Sequence, residues 1–259
     1  MNVAGSTVVV TGASAGIGAA LAPLLTAAGA TVAVVARRED RLAAMVERGD
    51  AARYYACDLG DPDAAVAMIE RAWDDMGGVD ILVNNAAIPK RRSVQDLTQD
   101  EIDETMRVNF TSPVRMSQAL LPKWLARDHG MVVNVSSFGG RAGILHEAAY
   151  CASKFALCGW SESMAMDLWR TGVKVRLIIP GAIDTEIWDL PGNDAPFFSG
   201  DKEPPATVAQ GIIDAIEGDA FELYVPDMKS IAEFKMSNID VFLQGNVEFA
   251  EAQRDAPGT

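Results

Sequence analysis

Residues 7–18 read TVVVTGASAGIG, and this stretch decides the fold. The β-branched run Thr7–Thr11 is typical of a buried strand, and the Ala- and Leu-rich segment from about Gly18 to Ala28 predicts a helix. A glycine-rich turn joins the two. The stretch therefore predicts a strand–turn–helix unit, which is the first step of an α/β fold.

The same alternation continues along the chain. Further strands are predicted at Thr31–Ala36, Tyr54–Asp58, Ile81–Asn84, Met131–Ser136, Lys174–Ile179 and Glu222–Val225. Helices are predicted between them, at Glu39–Arg48, Asp63–Met76, Ser112–Arg127 and Ala149–Thr171. Apolar strands that alternate with helices imply a parallel sheet covered on both faces. We expect one Rossmann-like, doubly wound α/β domain of about seven strands spanning residues 1–259.

Charge is distributed unevenly along the chain, which has 36 acidic and 22 basic residues and a net charge of −14. Residues 184–259 hold 16 acids and 4 bases, whereas residues 1–36 hold no charge at all. A strongly negative protein repels phosphate backbones, so no nucleic-acid partner is expected. Glycines and Pro23 interrupt the uncharged start, so it predicts no membrane span.

The cysteines indicate neither a disulfide scaffold nor a metal site. Cys57, Cys151 and Cys158 are too few for such a scaffold, and they lack metal-ligand spacing with His129 or His146. We expect reduced thiols, no bound metal and a cytoplasmic location.

The turn after the first strand has the spacing G-xxx-G-x-G, formed by Gly12, Gly16 and Gly18. Glycines allow a tight turn and let the backbone approach a pyrophosphate closely. The N-terminus of the following helix supplies free N–H groups and a positive potential. The position of this turn, between an apolar strand and a helix, favours a dinucleotide-binding role.

This octet and several later motifs resemble the short-chain dehydrogenase/reductase family, from about Ser6 to Val225. The matching positions are Asp58, Asn84-Asn85-Ala86-Ala87, Asn109, Ser136-Ser137, Tyr150-xxx-Lys154 and Pro180-Gly181. The family's usual N-N-A-G is N-N-A-A here, since Ala87 replaces a glycine. The resemblance implies that the cofactor contacts Gly12, Ser14, Gly16, Ile17, Gly18, Asp58, Leu59, Asn85, Ala86, Tyr150, Lys154, Pro180, Gly181, Ile183 and Thr185.

Charge at the end of the second strand indicates whether the cofactor is NAD(H) or NADP(H). An NAD site commonly places an acid there, where it accepts hydrogen bonds from the ribose hydroxyls. This chain has Ala36, followed by Arg37 and Arg38. Guanidinium groups bind a 2′-phosphate through charge-assisted hydrogen bonds, so NADP(H) is favoured over NAD(H). The alternative is an ordinary solvated arginine pair.

Tyr150 and Lys154 are spaced i, i+4, so a helix places both on one face. An ammonium at ~4 Å and an effective dielectric of ~20 stabilises a phenolate by about 4 kcal/mol, roughly 3 pKa units before desolvation opposes it. An oxidised nicotinamide ring would add a second positive charge, and together these charges are enough in principle to make Tyr150 a working acid and base.

The resemblance supplies the other catalytic roles. It implies that Ser137 positions the substrate oxygen, that Tyr150 exchanges its proton, and that Lys154 also binds the nicotinamide ribose. Asn109 completes a tetrad by holding a water in a proton relay to the lysine. The thirteen-residue interval to Tyr150 selects Ser137 rather than Ser136.

Substrate contacts are predicted at Gly139, Ile144, His146 and Trp188, with His146 alternatively an exposed loop residue. Residues 184–206 combine aromatic residues with Pro, Gly and Asp, which fits either a mobile lid or an anchored surface loop. Residues 227–259 form a C-terminal extension with an apolar helix side. It could cover the substrate site, form a subunit interface or close the core.

The leading hypothesis is an NADP(H)-dependent oxidoreductase that acts on a secondary alcohol, ketone or aldehyde, with an apolar or bulky substrate. The alternatives are a catalytically silent NADP(H)-binding sensor and an epimerase- or dehydratase-type relative. The resemblance also implies a homodimer or homotetramer, to which Trp160, Met164 and Trp169 could contribute, unless they are core residues.

Overall fold

The computed structural model describes residues 1–254, so the last five residues of the predicted extension lie outside the described residues. The strands are β1 (Thr7–Thr11), β2 (Thr31–Ala36), β3 (Arg53–Ala56), β4 (Ile81–Asn84), β5 (Gly130–Val135), β6 (Val173–Pro180) and β7 (Glu222–Val225). The helices are α1 (Gly16–Ala27), α2 (Glu39–Glu47), α3 (Pro62–Met76), α4 (Gln99–Met106), α5 (Ser112–Ala126), α6 (Ala148–Asp167), α7 (Pro205–Glu217), α8 (Lys229–Ser237) and α9 (Ile239–Arg254).

The seven strands form one parallel sheet in the order β3-β2-β1-β4-β5-β6-β7. Strand order reverses between β1 and β4, where Val9 lies opposite Leu82. At such a switch point the two connections leave in opposite directions, which opens a crevice at the carboxyl ends of the strands. The doubly wound α/β prediction is confirmed.

Alternating residues of β1 build the two halves of the core. Val8 and Val10 pack in a cluster with Leu21 of α1 and Ile212 of α7. Val9 faces the other side, in a second cluster with residues of α3, α5 and α6. Because both faces are covered by helices, the strands are apolar throughout, as the sequence indicates.

The long helix expected around Ser112–Arg127 is present, but it is less regular than predicted. Between α4 and α5 the chain forms a π-helical segment, Arg107–Thr111, so the helix runs on from Gln99 to Ala126 with one widened turn. Such widened turns occur frequently at functional sites. Here the segment contains the buried Asn109.

The carboxy-terminal part also differs from the expected single helix. It contains two helices, α8 and α9, with Asn238 between them. The 184–206 segment consists mostly of loop, with one short 3₁₀ turn at Glu186–Trp188 and a bridge between Ile183 and Glu203.

The structure also bears on the residues named for a subunit contact, on the cysteines and on a membrane span. Met164 is a core residue and Trp160 packs partly buried against the core, whereas Trp169 is 80% exposed. All three cysteines are free, but Cys57 is only half-buried. Within residues 1–254, no helix has the length and apolarity needed to cross a membrane.

Candidate active site

The carboxyl ends of β1, β4, β5 and β6 meet at one edge of the sheet, and every sequence-predicted catalytic residue except Asn109 lies on or just beyond these ends or on α6. Thr11 ties the first two strands together. Its Oγ1 accepts hydrogen bonds from the backbone N–H groups of Asn85 (3.0 Å) and Ala86 (3.1 Å) and donates one to the carbonyl of Val83 (3.2 Å). The loop after β4 is thereby fixed beside the glycine turn.

Glycine is required at two positions of this turn. Gly12 has a φ of +68°, and a Cβ there would lie 2.7 Å from Cα of Ala86. A Cβ on Gly18 would lie 2.6 Å from the carbonyl oxygen of Gly12. The N-cap of α1, Ala15, offers no side chain to its free N–H groups, and the first turn of the helix has no acid. The turn therefore presents donors and positive potential that suit an anion.

A first cavity of about 370 Å³ opens in front of this turn. Eleven of the predicted cofactor residues line it: Gly12, Ser14, Gly16, Ile17, Arg37, Arg38, Asp58, Leu59, Asn85, Ala86 and Thr185. Gly18 lies behind the turn, where it permits close packing. The uncapped helix and the glycine turn fit a pyrophosphate, so the residues present fit the dinucleotide that the resemblance implies.

The rim of this cavity is basic at the end of β2. Ala36, the last residue of β2, lines the cavity here, and Arg38 donates from Nε to Ser14 Oγ at 3.0 Å. Arg41 from α2, which the sequence reasoning missed, joins Arg38 in ion pairs with Glu186 of the loop after β6. Sequence spacing gives no signal for this contact, because its partners lie 145 and 148 residues apart.

A second cavity of about 390 Å³ adjoins the first, and Ile17, Asn85, Ala87, Thr185 and Ile187 line both. Of the predicted residues, it is lined by Ser137, Ile144, Tyr150, Lys154, Pro180, Gly181, Ile183 and Trp188. Four residues of α9 also line it: Phe242, Asn246, Phe249 and Ala250. Of the alternatives for the C-terminal extension, α9 therefore covers this cavity.

Tyr150 and Ser137 both line this second cavity, and the Ser137 hydroxyl is close enough to the phenol to affect its pKa. Burial raises the pKa of the Tyr150 hydroxyl well above its usual range, Glu147 and Cys151 add to the rise, and the Ser137 hydroxyl lowers it. In the protein alone, desolvation outweighs any lowering by the Lys154 charge, so the net shift of the Tyr150 pKa is upward. At neutral pH the Tyr150 hydroxyl therefore keeps its proton.

Lys154 lies on the same face of α6 and is 1% exposed. Its Nζ donates to the carbonyl oxygen of Val135 at 3.0 Å and lies 5.8 Å from the centroid of the Tyr150 ring. Burial lowers the pKa of Lys154 to about 8. The lysine is thus close enough to influence the tyrosine, but its own charge is costly in this position.

Asn109 lies in the widened turn, fully buried, and does not line either cavity. Its Oδ1 accepts from the N–H of Ile88 (2.8 Å), and its Nδ2 donates to the carbonyl of Ile88 (2.9 Å) and to Ser153 Oγ (3.1 Å). These bonds attach the loop after β4 to α6. The relay role of Asn109 stays a prediction.

Ser136 and Ser137 both line the second cavity, but their hydroxyls have different partners. Ser136 Oγ lies 3.2 Å from the carbonyl oxygen of Lys154 and 3.2 Å from Cys158 Sγ, so it is engaged inside the protein. Ser137 Oγ instead accepts from the N–H of Gly139 at 3.1 Å and meets Tyr150 in the cavity.

Two predicted substrate residues do not line the second cavity. Gly139 lies behind the Tyr150 ring, which a Cβ at Gly139 would approach to 3.2 Å. His146, in a left-handed conformation with φ of +61°, packs edge-on against Phe197 with ring centroids 4.8 Å apart. Both residues thus lie next to residues that line the cavity, His146 against Phe197 and Gly139 against Tyr150.

Two charged residues of the second cavity were not anticipated. Burial raises the pKa of Glu147 to about 7, and Arg91 opposes that rise. The Arg91 guanidinium is buried and donates to the carbonyls of Ile187, Trp188 and Asp194, which ties the 184–206 segment to the loop after β4. No sequence motif marks either residue.

Comparison with known proteins agrees with this geometry. The family model described as short chain dehydrogenase matches residues 6–194. The 3-oxoacyl-acyl-carrier-protein reductase FabG of Vibrio cholerae is 36% identical over 188 residues, which cover 72% of this chain and 77% of the relative.

Solved structures agree as well. A Burkholderia cenocepacia short chain dehydrogenase in complex with NADP is 25% identical, with a TM-score of 0.80 over 95% of this chain and 99% of that one. A Burkholderia phymatum enzyme in complex with NAD shares the fold at 21% identity, with a TM-score of 0.84 over 93% of this chain and 96% of that one. The chain therefore belongs to the short-chain dehydrogenase/reductase family and is an NAD(P)-dependent oxidoreductase acting between CH–OH and C=O groups.

Proposed function

We propose that the protein reduces a bulky, apolar ketone or aldehyde, and oxidises the corresponding alcohol, with NADP(H) as cofactor and Tyr150 as the acid–base residue. The observation that carries the proposal is the pair of neighbouring hydroxyls of Ser137 and Tyr150. The pair lines a largely apolar cavity that adjoins the cavity of the glycine turn.

The two hydroxyls suit a carbonyl oxygen. Ser137 donates a hydrogen bond that holds this oxygen, and Tyr150, which keeps its proton at neutral pH, delivers that proton to it. A bound NADPH would supply the hydride for the new C–H bond, with the C=O π electrons moving to the oxygen that Tyr150 protonates. Lys154 stabilises the developing phenolate through its charge.

The walls of the second cavity indicate the character of the substrate. Ile144 comes from the loop before α6, Trp188 and Phe198 from the 184–206 segment, and Phe242 and Phe249 from α9. Trp188 and Phe198 stack with ring centroids 6.1 Å apart. Three separate segments thus contribute large apolar side chains, which supports an apolar or bulky group beside the reacting carbonyl. The name of FabG, a 3-oxoacyl reductase, supports a ketone.

The preference for NADP(H) rests on charge at the end of β2. Ala36 provides no carboxylate for the ribose hydroxyls, whereas Arg37 and Arg38 border the cavity there. A 2′-phosphate is bound by guanidinium groups and repelled by an acid, which supports NADP(H).

Assembly and location are part of the same proposal. Trp169 (80% exposed) and Met166 (69% exposed) leave a large apolar area at the end of α6, which supports a homodimer or homotetramer. Three free cysteines support a reducing, cytoplasmic environment. Light scattering of the wild type and of Trp169→Asp tests the assembly, because a monomeric wild type would contradict it.

A carbonyl panel tests the proposed activity. Purified protein is mixed with NADPH or NADH and with ketones and aldehydes of increasing apolar size, and nicotinamide absorbance is followed at fixed pH. We expect turnover that is faster with NADPH and rises with apolar size. Tight NADPH binding without turnover across the panel would instead indicate a sensor, and turnover of sugar nucleotides alone would indicate an epimerase or dehydratase.

A further inference from the structure

Glu186 places its carboxylate between two arginines at the rim of the first cavity. Its Oε2 lies 2.6 Å from Nη1 of Arg38, and its Oε1 lies 2.6 Å from Nη1 of Arg41. Ser14 completes the group, because its Oγ accepts from Nε of Arg38 (3.0 Å) and its carbonyl from Nη1 of Arg41 (3.3 Å). The two arginines hold the pKa of Glu186 below its usual range, so the carboxylate is ionised at neutral pH.

The arrangement places an anion where the proposed cofactor would bring one. Arg38 and Glu186 both line the first cavity, on the side where β2 ends with Ala36. A carboxylate with one oxygen on each guanidinium resembles a phosphate held by two arginines. The position that charge assigns to a 2′-phosphate is therefore already taken by an acidic side chain of the protein.

A more highly charged anion can displace the Glu186 carboxylate from the two arginines. The side chains of Arg38, Arg41 and Glu186 are 41%, 44% and 49% exposed. Exposed ion pairs are weak because water and salt screen them. A phosphomonoester carries more negative charge than a carboxylate and has three acceptor oxygens, so it competes well for the same donors.

We propose that Glu186 is a specificity-determining residue that competes with the 2′-phosphate of NADP(H) for Arg38 and Arg41. This inference rests on the proposed NADP(H) preference. A dinucleotide with the 2′-phosphate must displace Glu186, whereas one without it leaves the ion pairs in place. The residue thus reduces the advantage that the arginines give to NADP(H) over NAD(H).

The displacement has a second consequence, because Glu186 begins the 3₁₀ turn that continues with Ile187 and Trp188. Both of those residues line the second cavity. Release of Glu186 frees one attachment of this turn, so the 2′-phosphate changes the mobility of a substrate-cavity wall. The two cavities are coupled through one side chain.

Calorimetry with adenosine 2′,5′-bisphosphate and with 5′-ADP tests the competition without any turnover. The proteins are the wild type, Glu186→Gln and the control Asp189→Asn, which removes one negative charge from an exposed position of the same loop. We expect Glu186→Gln to bind the bisphosphate roughly three- to tenfold more tightly, with 5′-ADP changed less than twofold. Asp189→Asn should change both affinities less than twofold.

The outcomes separate this inference from the cofactor proposal. The wild type could bind the bisphosphate no more tightly than 5′-ADP while Glu186→Gln prefers the bisphosphate. That result supports the competition and overturns the NADP(H) assignment. A preference of equal size in the wild type and Glu186→Gln overturns the competition alone, as does an equal gain in Asp189→Asn.

Hydrogen exchange of residues 185–190 tests the coupling between the cavities. We expect the bisphosphate, but not 5′-ADP, to speed exchange there in the wild type. In Glu186→Gln, the exchange should be fast before the ligand is added. Unchanged or slowed exchange in the wild type would contradict the release of the turn.

Discussion

Lys154 Nζ donates to the backbone carbonyl of Val135, the last residue of β5, across 3.0 Å, and the lysine is almost completely buried. This bond aligns α6 with the strand that leads to Ser137. It also holds an ammonium group in surroundings that lower its pKa to about 8. The charge that assists Tyr150 is therefore lost at moderately alkaline pH.

The rate of carbonyl reduction should fall as pH rises through about 8, since Lys154 loses its proton there while Tyr150 retains its own. Lys154→Met should lower kcat/KM by roughly 10²-fold or more and remove this alkaline limb. The pH profile of kcat/KM measures both effects. Lys174→Met, on an exposed part of β6, is the control. If kcat/KM of Lys154→Met still fell at alkaline pH as in the wild type, the fall could not be assigned to Lys154.

Glu147 should make stability depend on pH in an acidic window. Its pKa is raised from 4.5 to about 7, so the folded protein binds more protons than the unfolded chain between these values. The contribution of Glu147 to the free energy of unfolding is fully present below about pH 4.5 and is lost as pH rises through about 7. This loss amounts to at most about 3 kcal/mol.

Glu147→Gln should remove this contribution, so that the free energy of unfolding falls less between pH 5 and 7.5 than in the wild type. Urea unfolding at several pH values measures the difference. Glu162→Gln, half-exposed on the same helix, is the control. Parallel curves for the wild type and Glu147→Gln would show that Glu147 titrates normally.

Exchange of Ala36 for Asp should weaken NADPH binding by roughly 100-fold and change NADH binding only a few-fold. The new carboxylate would repel a 2′-phosphate beside Arg38, but it would accept hydrogen bonds from the ribose hydroxyls of NADH. Ala36→Ser controls for size and polarity without charge. Dissociation constants from fluorescence titration with both cofactors measure the effect, and equal losses for NADPH and NADH would refute the assignment.

Arg91→Met should loosen the 184–206 segment. The variant leaves the carbonyls of Ile187, Trp188 and Asp194 without their donor, so we expect about 2–4 kcal/mol of lost stability. KM for a bulky ketone should rise roughly tenfold with kcat changed much less, since the chemistry is untouched. Arg115→Met, whose ion pair with Asp63 is exposed, is the control. A loss in kcat alone would contradict this positioning role.

The sequence predicted the features that depend on local pattern. The run Thr7–Thr11, the glycine turn and the i, i+4 pair Tyr150 and Lys154 each impose one local geometry, and the structure has all three. Parallel strands bring these motifs to one edge of the sheet. The doubly wound order followed from the same alternation.

Features that depend on tertiary packing were missed. The contact of Glu186 with Arg41 joins residues 145 apart, and no spacing rule connects them. The size of the desolvation that raises the Tyr150 pKa could not be predicted, because an i, i+4 spacing gives a distance but no measure of burial. Gly139 was placed in the cavity because loop residues have no periodicity that tells which way they point, whereas His146 is the partly exposed loop residue that the alternative expected.

The central claim is that Tyr150 provides the proton of the reaction, and Tyr150→Phe tests it most directly. The control is Tyr54→Phe, which removes a hydroxyl that bonds to the exposed Glu39. Single-turnover reduction with saturating NADPH separates chemistry from binding. The account predicts a rate reduced by roughly 10²–10⁴-fold in Tyr150→Phe, with NADPH affinity within threefold of the wild type. A Tyr150→Phe rate within threefold of the wild type would contradict it.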